Sequence, residues 1–164
     1  MKKLDINRIK TERQFLRNYS LHDIAENEGI RILNKYNIKF KEFGEDRRYE
    51  DVWEAGDDKP DIKIFDKNNK LLYLLDWKGK KSSKHMINKR AFESYTSIAI
   101  KLNVPVIIAI AKMDRNKKIF SFIYYLFPNK DHHVKEETAW DGNKVSVFNT
   151  AFCKDFYKKN EIFK

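Results

Sequence analysis

Residues 59–78, KPDIKIFDKNNKLLYLLDWK, hold the pattern that decides the fold. Two apolar runs, 61–65 and 71–77, flank the polar stretch Asp66-Lys67-Asn68-Asn69-Lys70. β-rich runs around an Asn-rich turn predict a hairpin. Successive side chains on a strand point to opposite faces, so positions two apart share one. Asp76 and Lys78 therefore lie on the same face at the end of the second strand, and Trp77 points into the core. Fourteen residues separate Asp61 from Asp76, and the hairpin can bring the two carboxylates together. Converging carboxylates make a hard-oxygen site suited to Mg²⁺ or Mn²⁺. The Trp77 backbone carbonyl is a further candidate ligand. A carboxylate that ends the apolar run Leu71–Leu75 is costly to bury without a partner or an ion.

Outward from the hairpin, Leu21, Ile24, Ala25, Ile32, Leu33 and Tyr36 recur at helical spacing, and Ser20 with Asp23 reads as a capping-box-like start. Residues 1–19 form a basic arm or helix. Residues 37–58 predict one or two short strands and a loop. A second helix is predicted over 87–102, ended by Asn103 and Pro105. Val104–Ala111, almost unbroken in its apolar character, predicts a strand buried on both faces. Ile119–Phe127 predicts an aromatic-rich strand. A charged loop with His132 and His133 follows, then a strand at Val145–Phe148 and an amphipathic helix over 150–159. The whole is an α/β chain of α+β type, one domain over 1–164 with a mixed central sheet flanked by helices.

Composition narrows the partners. Against 24 Asp and Glu stand 34 Lys and Arg, a formal net charge of +10, which favours polyanions. Lys80, Lys81, Lys84, Lys89 and Arg90 follow the second carboxylate, and Arg47 and Arg48 precede the first; all are candidate nucleic-acid contacts. The single cysteine, Cys153, excludes an intramolecular disulfide and a multi-Cys zinc site. The adjacent His132 and His133 have no third ligand at zinc-site spacing. No apolar run reaches the length of a membrane span, and the first twenty residues lack a signal-peptide core. The expectation is a cytoplasmic, soluble protein.

Lys59-Pro60-Asp61-Ile62, an apolar strand into Asp76-Trp77-Lys78, then a helix and a buried strand resemble the core of the PD-(D/E)XK nucleases. Ala25-Glu26-Asn27-Glu28-Gly29-Ile30-Arg31-Ile32-Leu33 is similar to a helix of archaeal Holliday junction resolvases. There a Glu seven residues before a Leu completes the metal site, which selects Glu26 ahead of Leu33. On a helical wheel both Glu26 and Glu28 flank the apolar stripe, so Glu28 stands second. The resemblance implies a restriction-endonuclease-like core and a Mg²⁺- or Mn²⁺-dependent DNA endonuclease. Its metal ligands would be Glu26, Asp61 and Asp76, with Lys78 as the catalytic base and branched or junction DNA as substrate. The chain departs from the resolvases in having Asp76 where Glu is common, no Ser before Pro60 and no Gln in the second helix. The alternatives are a non-catalytic nucleic-acid-binding protein that retains the fold, and a restriction- or homing-type nuclease on the same core. A homodimer would place two sites on two strands, with Ile119–Phe127 as a candidate interface.

Overall fold

A computed structural model describes residues 12–44, 58–82, 84–127, 133–139, 142–159 and 161–163. In chain order the elements are α1 (Glu12–Lys35), β1 (Lys39–Glu42), β2 (Ile62–Phe65), β3 (Leu71–Lys80), β4 (His85–Asn88) and α2 (Lys89–Leu102). They continue with β5 (Val106–Met113), β6 (Ile119–Phe127), β7 (His133–Thr138), β8 (Lys144–Phe148) and β9 (Lys154–Asp155).

The expected hairpin is β2–β3. Ile62 pairs with Leu75 in an antiparallel register. The Asp66 carboxylate closes the turn by accepting from the amides of Asn68 and Lys70, both at 2.8 Å. Asn69 takes the left-handed conformation (φ 66°) that Asn tolerates. After β4 and α2 the chain returns as β5, parallel to β3, and β6 then lies antiparallel to β5. The result is a mixed six-stranded sheet in the order β1-β2-β3-β5-β6-β9, beside a three-stranded antiparallel sheet β4-β8-β7. α2 ends as anticipated, with Asn103 in the left-handed region (φ 50°) as its C-cap.

Two apolar cores lie on the two faces of the large sheet. One joins Leu21, Ala25, Ile32 and Leu33 of α1 to Leu75, Trp77, Ile107, Ala109 and Phe122. The other joins Ala91, Tyr95 and Ala99 of α2, with Ile87 and Phe148, to Leu74, Ile108, Ile110 and Tyr125. Two glycines set how closely α1 lies on β3. A Cβ at Gly79 would overlap the Leu21 carbonyl, and one at Gly29 would overlap the Trp77 ring. The helix therefore seats directly against the strand that carries Asp76 and Lys78.

Three expectations are corrected. α1 begins at Glu12, not near Ser20. Ser20 lies inside the helix and its hydroxyl donates back to the Arg17 carbonyl at 2.8 Å, so it caps nothing. No Gly or Pro interrupts 12–19, and the helix absorbs that part of the basic arm; residues 1–11 lie outside the described residues. The helix expected over 150–159 is a 3-10 turn at Thr150–Phe152 followed by β9. There the Phe156 amide donates to the Phe122 carbonyl at 2.7 Å, and the Phe156 ring is fully buried against Trp77 and Phe122. Pairing with β6 has overridden a helical periodicity. Finally, part of the charged segment after Pro128 is a strand: His133 opens β7 against β8. His132 lies outside the described residues.

Candidate active site

With Ile62 opposite Leu75, Asp61 and Asp76 come next in the hairpin register, at the mouth of β2. Asp61 Oδ2 accepts the Trp77 backbone N–H at 2.7 Å, tying the first carboxylate to the strand that carries the second. Asp76 is 2 % exposed. Its Oδ1 accepts the Tyr95 hydroxyl of α2 at 2.6 Å, and its Oδ2 lies 2.5 Å from Lys78 Nζ. Lys78 Nζ also stands 6.0 Å from the Tyr95 ring centroid. The Trp77 side chain is fully buried in the α1-side core, as its alternation with Asp76 and Lys78 predicts. Trp77 gives the site its backbone amide, which donates to Asp61.

α1 closes the other side. His22 Nε2 lies 3.3 Å from Asp61 Oδ2. Four residues on, Glu26 shares its helix face and feels the charges of His22 and Asp61. Ligand atoms of His22, Asp23 and Glu26 lie within 4.8 Å of one another. The two glutamates differ in their partners. Glu28 is forked onto Arg31 at 2.7 and 2.8 Å, which holds its carboxyl below the usual range, while Glu26 lies beside His22 and Asp23 and feels the charge of Asp61.

The charges here are crowded. Burial pushes the Asp76 carboxyl up; Lys78 opposes this and Asp61 adds to it. Burial likewise raises Glu26, with Asp61 contributing. Burial works against the charged form of His22, but the bond and charge of Asp61 outweigh it and the imidazole is raised. Tyr95 is held well above the phenol range, by burial first and by Asp76 and Asp61 after it, so its hydroxyl remains a donor. For Lys78, burial is again outweighed, here by Asp76 and Asp61, and the amine is raised. In its ammonium form Lys78 has no lone pair to accept a proton, and it stands as the counter-charge of Asp76.

Glu26, Asp61 and Asp76 offer carboxylate oxygens from α1, the entry to β2 and β3, the donor type a hard divalent cation takes, with Lys78 and His22 beside them as counter-charges. Among the described residues, the set whose ligand atoms lie within 4.8 Å of one another is His22, Asp23 and Glu26. Sequence reasoning missed His22 and Tyr95. The i, i+4 spacing of His22 and Glu26 was a visible signal. Tyr95 reads as an ordinary core aromatic on α2 and is identified only by its hydroxyl contact.

The expected basic contacts divide. Arg90 is paired with Asp58 at 2.6 Å, Lys89 with Glu136 at 3.3 Å, and Lys84 with Glu137. Lys81 donates to the Arg115 carbonyl at 3.1 Å. Lys80 continues the Asp76–Lys78 face of β3. Arg47 and Arg48 lie outside the described residues. Among the described residues, no helix is long and apolar enough to cross a membrane.

No protein-family model matches the chain, and neither does any curated protein.

Proposed function

We propose that the chain is a metal-dependent nuclease with a restriction-endonuclease-like core that hydrolyses phosphodiester bonds in DNA. The observation that carries this reading is the meeting of Asp61, Asp76 and Lys78 through the Trp77 amide and the Asp76–Lys78 ion pair, with Glu26 on α1 within the field of Asp61. Glu26, Asp61 and Asp76 would hold Mg²⁺ or Mn²⁺. When bound, such an ion acidifies a water and neutralises charge on the phosphate.

The remaining work falls to the protein's own groups. The Trp77 amide and His22 fix one oxygen of Asp61, and Tyr95 fixes one oxygen of Asp76, so both carboxylates are presented in set orientations. The Lys78 ammonium offsets the charge that develops as the water oxygen bonds to phosphorus and the ester oxygen leaves. Branched or junction DNA is the favoured substrate, by the resemblance described above.

The test is cleavage of labelled linear, flapped and four-way-junction DNA in Mg²⁺, in Mn²⁺ and in EDTA. Metal-dependent cutting should fall by about 10²–10³-fold in Lys78→Ala. It should be lost in Asp76→Asn with DNA binding retained. Binding without cutting under every metal condition would overturn the nuclease reading in favour of a non-catalytic DNA-binding protein. In such a protein the Lys78 and His22 contacts would serve only to neutralise buried carboxylates.

A further inference from the structure

β3 and β5 run parallel, so their C-terminal ends emerge on one side of the sheet, the side toward which Asp76 and Lys78 lie. Lys80 continues their face. Its Cα partner on β5 is Lys112, which follows Ile108 and Ile110 on the face covered by α2. Like charges abreast on neighbouring strands repel one another. The charges of Lys80, Lys78 and Lys112 all bear on His85, itself buried and held well below the ordinary imidazole range by burial first and these lysines after it.

Beyond Lys112 the β5–β6 turn adds Arg115, Lys117 and Lys118 at exposed positions. Its one carboxylate is turned to its own backbone: Asp114 Oδ1 accepts from the amides of Asn116 at 2.8 Å and Lys118 at 2.9 Å. The turn is tied to α1 by Lys117 Nζ donating to Ser20 Oγ at 2.9 Å, and to the end of β3 by Lys81 Nζ on the Arg115 carbonyl at 3.1 Å. The side chains of Arg115 and Lys118 thus project from a fixed platform.

Lys84, Lys89 and Arg90 are each matched to a carboxylate. Among the described residues no ion pair joins Lys112, Arg115 or Lys118 to one. Beyond Lys78 and Lys80 of β3, positive charge that joins no carboxylate among the described residues therefore gathers at the end of β5 and in the turn. We infer that Lys112, Arg115 and Lys118 form one cationic track carrying the phosphodiester backbone of a nucleic-acid strand between the β5–β6 turn and the end of the sheet that holds Asp61 and Asp76. The inference rests on the nuclease reading for what happens at the carboxylate end, but not for the binding itself.

The experiment is fluorescence anisotropy of a labelled DNA duplex with a single-stranded tail, in EDTA, across a salt series. The intact chain is compared with Lys112→Ala, with Arg115→Ala/Lys118→Ala, and with Lys67→Ala/Lys101→Ala. The last pair is exposed at the opposite end of the sheet, in the β2–β3 turn and the last turn of α2. Thermal melting verifies that each variant is folded. The slope of log affinity against log salt should shrink by about one in Lys112→Ala and by about two in Arg115→Ala/Lys118→Ala. It should not change in the distal pair. An unchanged slope in the track variants, or equal losses in the distal pair, would overturn the track and leave the nuclease reading standing. Slope losses as expected without cleavage in any metal would support the track and sink the nuclease reading. No binding by the intact chain at any salt would overturn both.

Discussion

Tyr95 and His85 are both buried beside charge, and each makes a single-residue prediction. The Tyr95 hydroxyl is the hydrogen-bond donor to Asp76 Oδ1, inside an apolar core built from Leu74, Ile108 and Phe127. Tyr95→Phe keeps the ring and strips the donor, leaving a buried acceptor unmet. Urea unfolding should report a loss of about 1–3 kcal/mol. The loss should shrink in an Asp76→Ala background, where no carboxylate remains to be satisfied; equal losses in both backgrounds would assign the effect to ring packing. His85 lies on the same side of the sheet, 1 % exposed, with Nε2 2.9 Å from the Tyr125 hydroxyl. Burial, then Lys80, Lys78 and Lys112, hold its ring neutral well below the ordinary imidazole value of about 6.5. The unfolded chain takes up a proton near that value and the folded chain does not. Stability therefore falls as pH drops through it, toward the lower folded value. His22 is raised and acts in the opposite sense, so the two are separated by substitution. Between about pH 7.5 and about pH 5.5 the melting temperature should fall less in His85→Gln than in the unaltered chain. Parallel pH profiles would show that His85 does not titrate on unfolding.

At the level of elements, the close seating of α1 on β3 is what brings His22 to Asp61 and Glu26 into the field of that carboxylate. Gly79 is the point of closest approach, because a side chain there would occupy the space of the Leu21 carbonyl. Backbone yields less easily than a side-chain tip, so Gly79→Ala must push the helix off the strand. Urea unfolding should show a loss of about 1–3 kcal/mol. Cleavage should drop as well, since Glu26 and His22 ride on the displaced helix; a variant with full stability and full activity would show that α1 can slide without consequence. Elements with strong local signals were legible in the sequence: the hairpin from its Asn-rich turn, α2 from its periodicity and Asn103 stop, and β5 from its doubly buried apolar run. The misread elements owe their state to partners distant in sequence. β7 has the polar sequence of an edge strand and is defined by pairing with β8. β9 and Phe156 are fixed by β6. At the site, the meeting of Asp61, Asp76 and Lys78 was legible because alternation orients side chains within a hairpin, while the helical wheel left Glu26 and Glu28 both beside the apolar stripe. His22, Tyr95 and the β5–β6 turn were not, because their roles arise only where two elements touch.

For the molecule as a whole, the site is a seam between two cores. Trp77 is buried with α1, Asp76 is buried with α2, and Asp61 bridges them through one backbone amide and one imidazole. Carboxylates from α1, β3 and the start of β2 converge only in the folded chain. The unfolded chain scatters them, so a cation that bridges them binds the folded state selectively and must raise global stability by mass action. At a free ion concentration about 100 times its dissociation constant the gain is about 2.7 kcal/mol, or about 5–10 °C in melting temperature for a chain of this size. Asp61→Asn is the decisive partner experiment. It keeps an oxygen for the Trp77 amide, so the hairpin mouth remains closed, yet it removes the formal charge a hard cation requires. The unaltered chain should melt higher in Mg²⁺ or Mn²⁺ than in EDTA, and Asp61→Asn should melt alike in all three. A melting temperature indifferent to metal in the unaltered chain would mean that Lys78 and His22 are the final counter-charges of these carboxylates. The net charge of +10 would then serve binding alone.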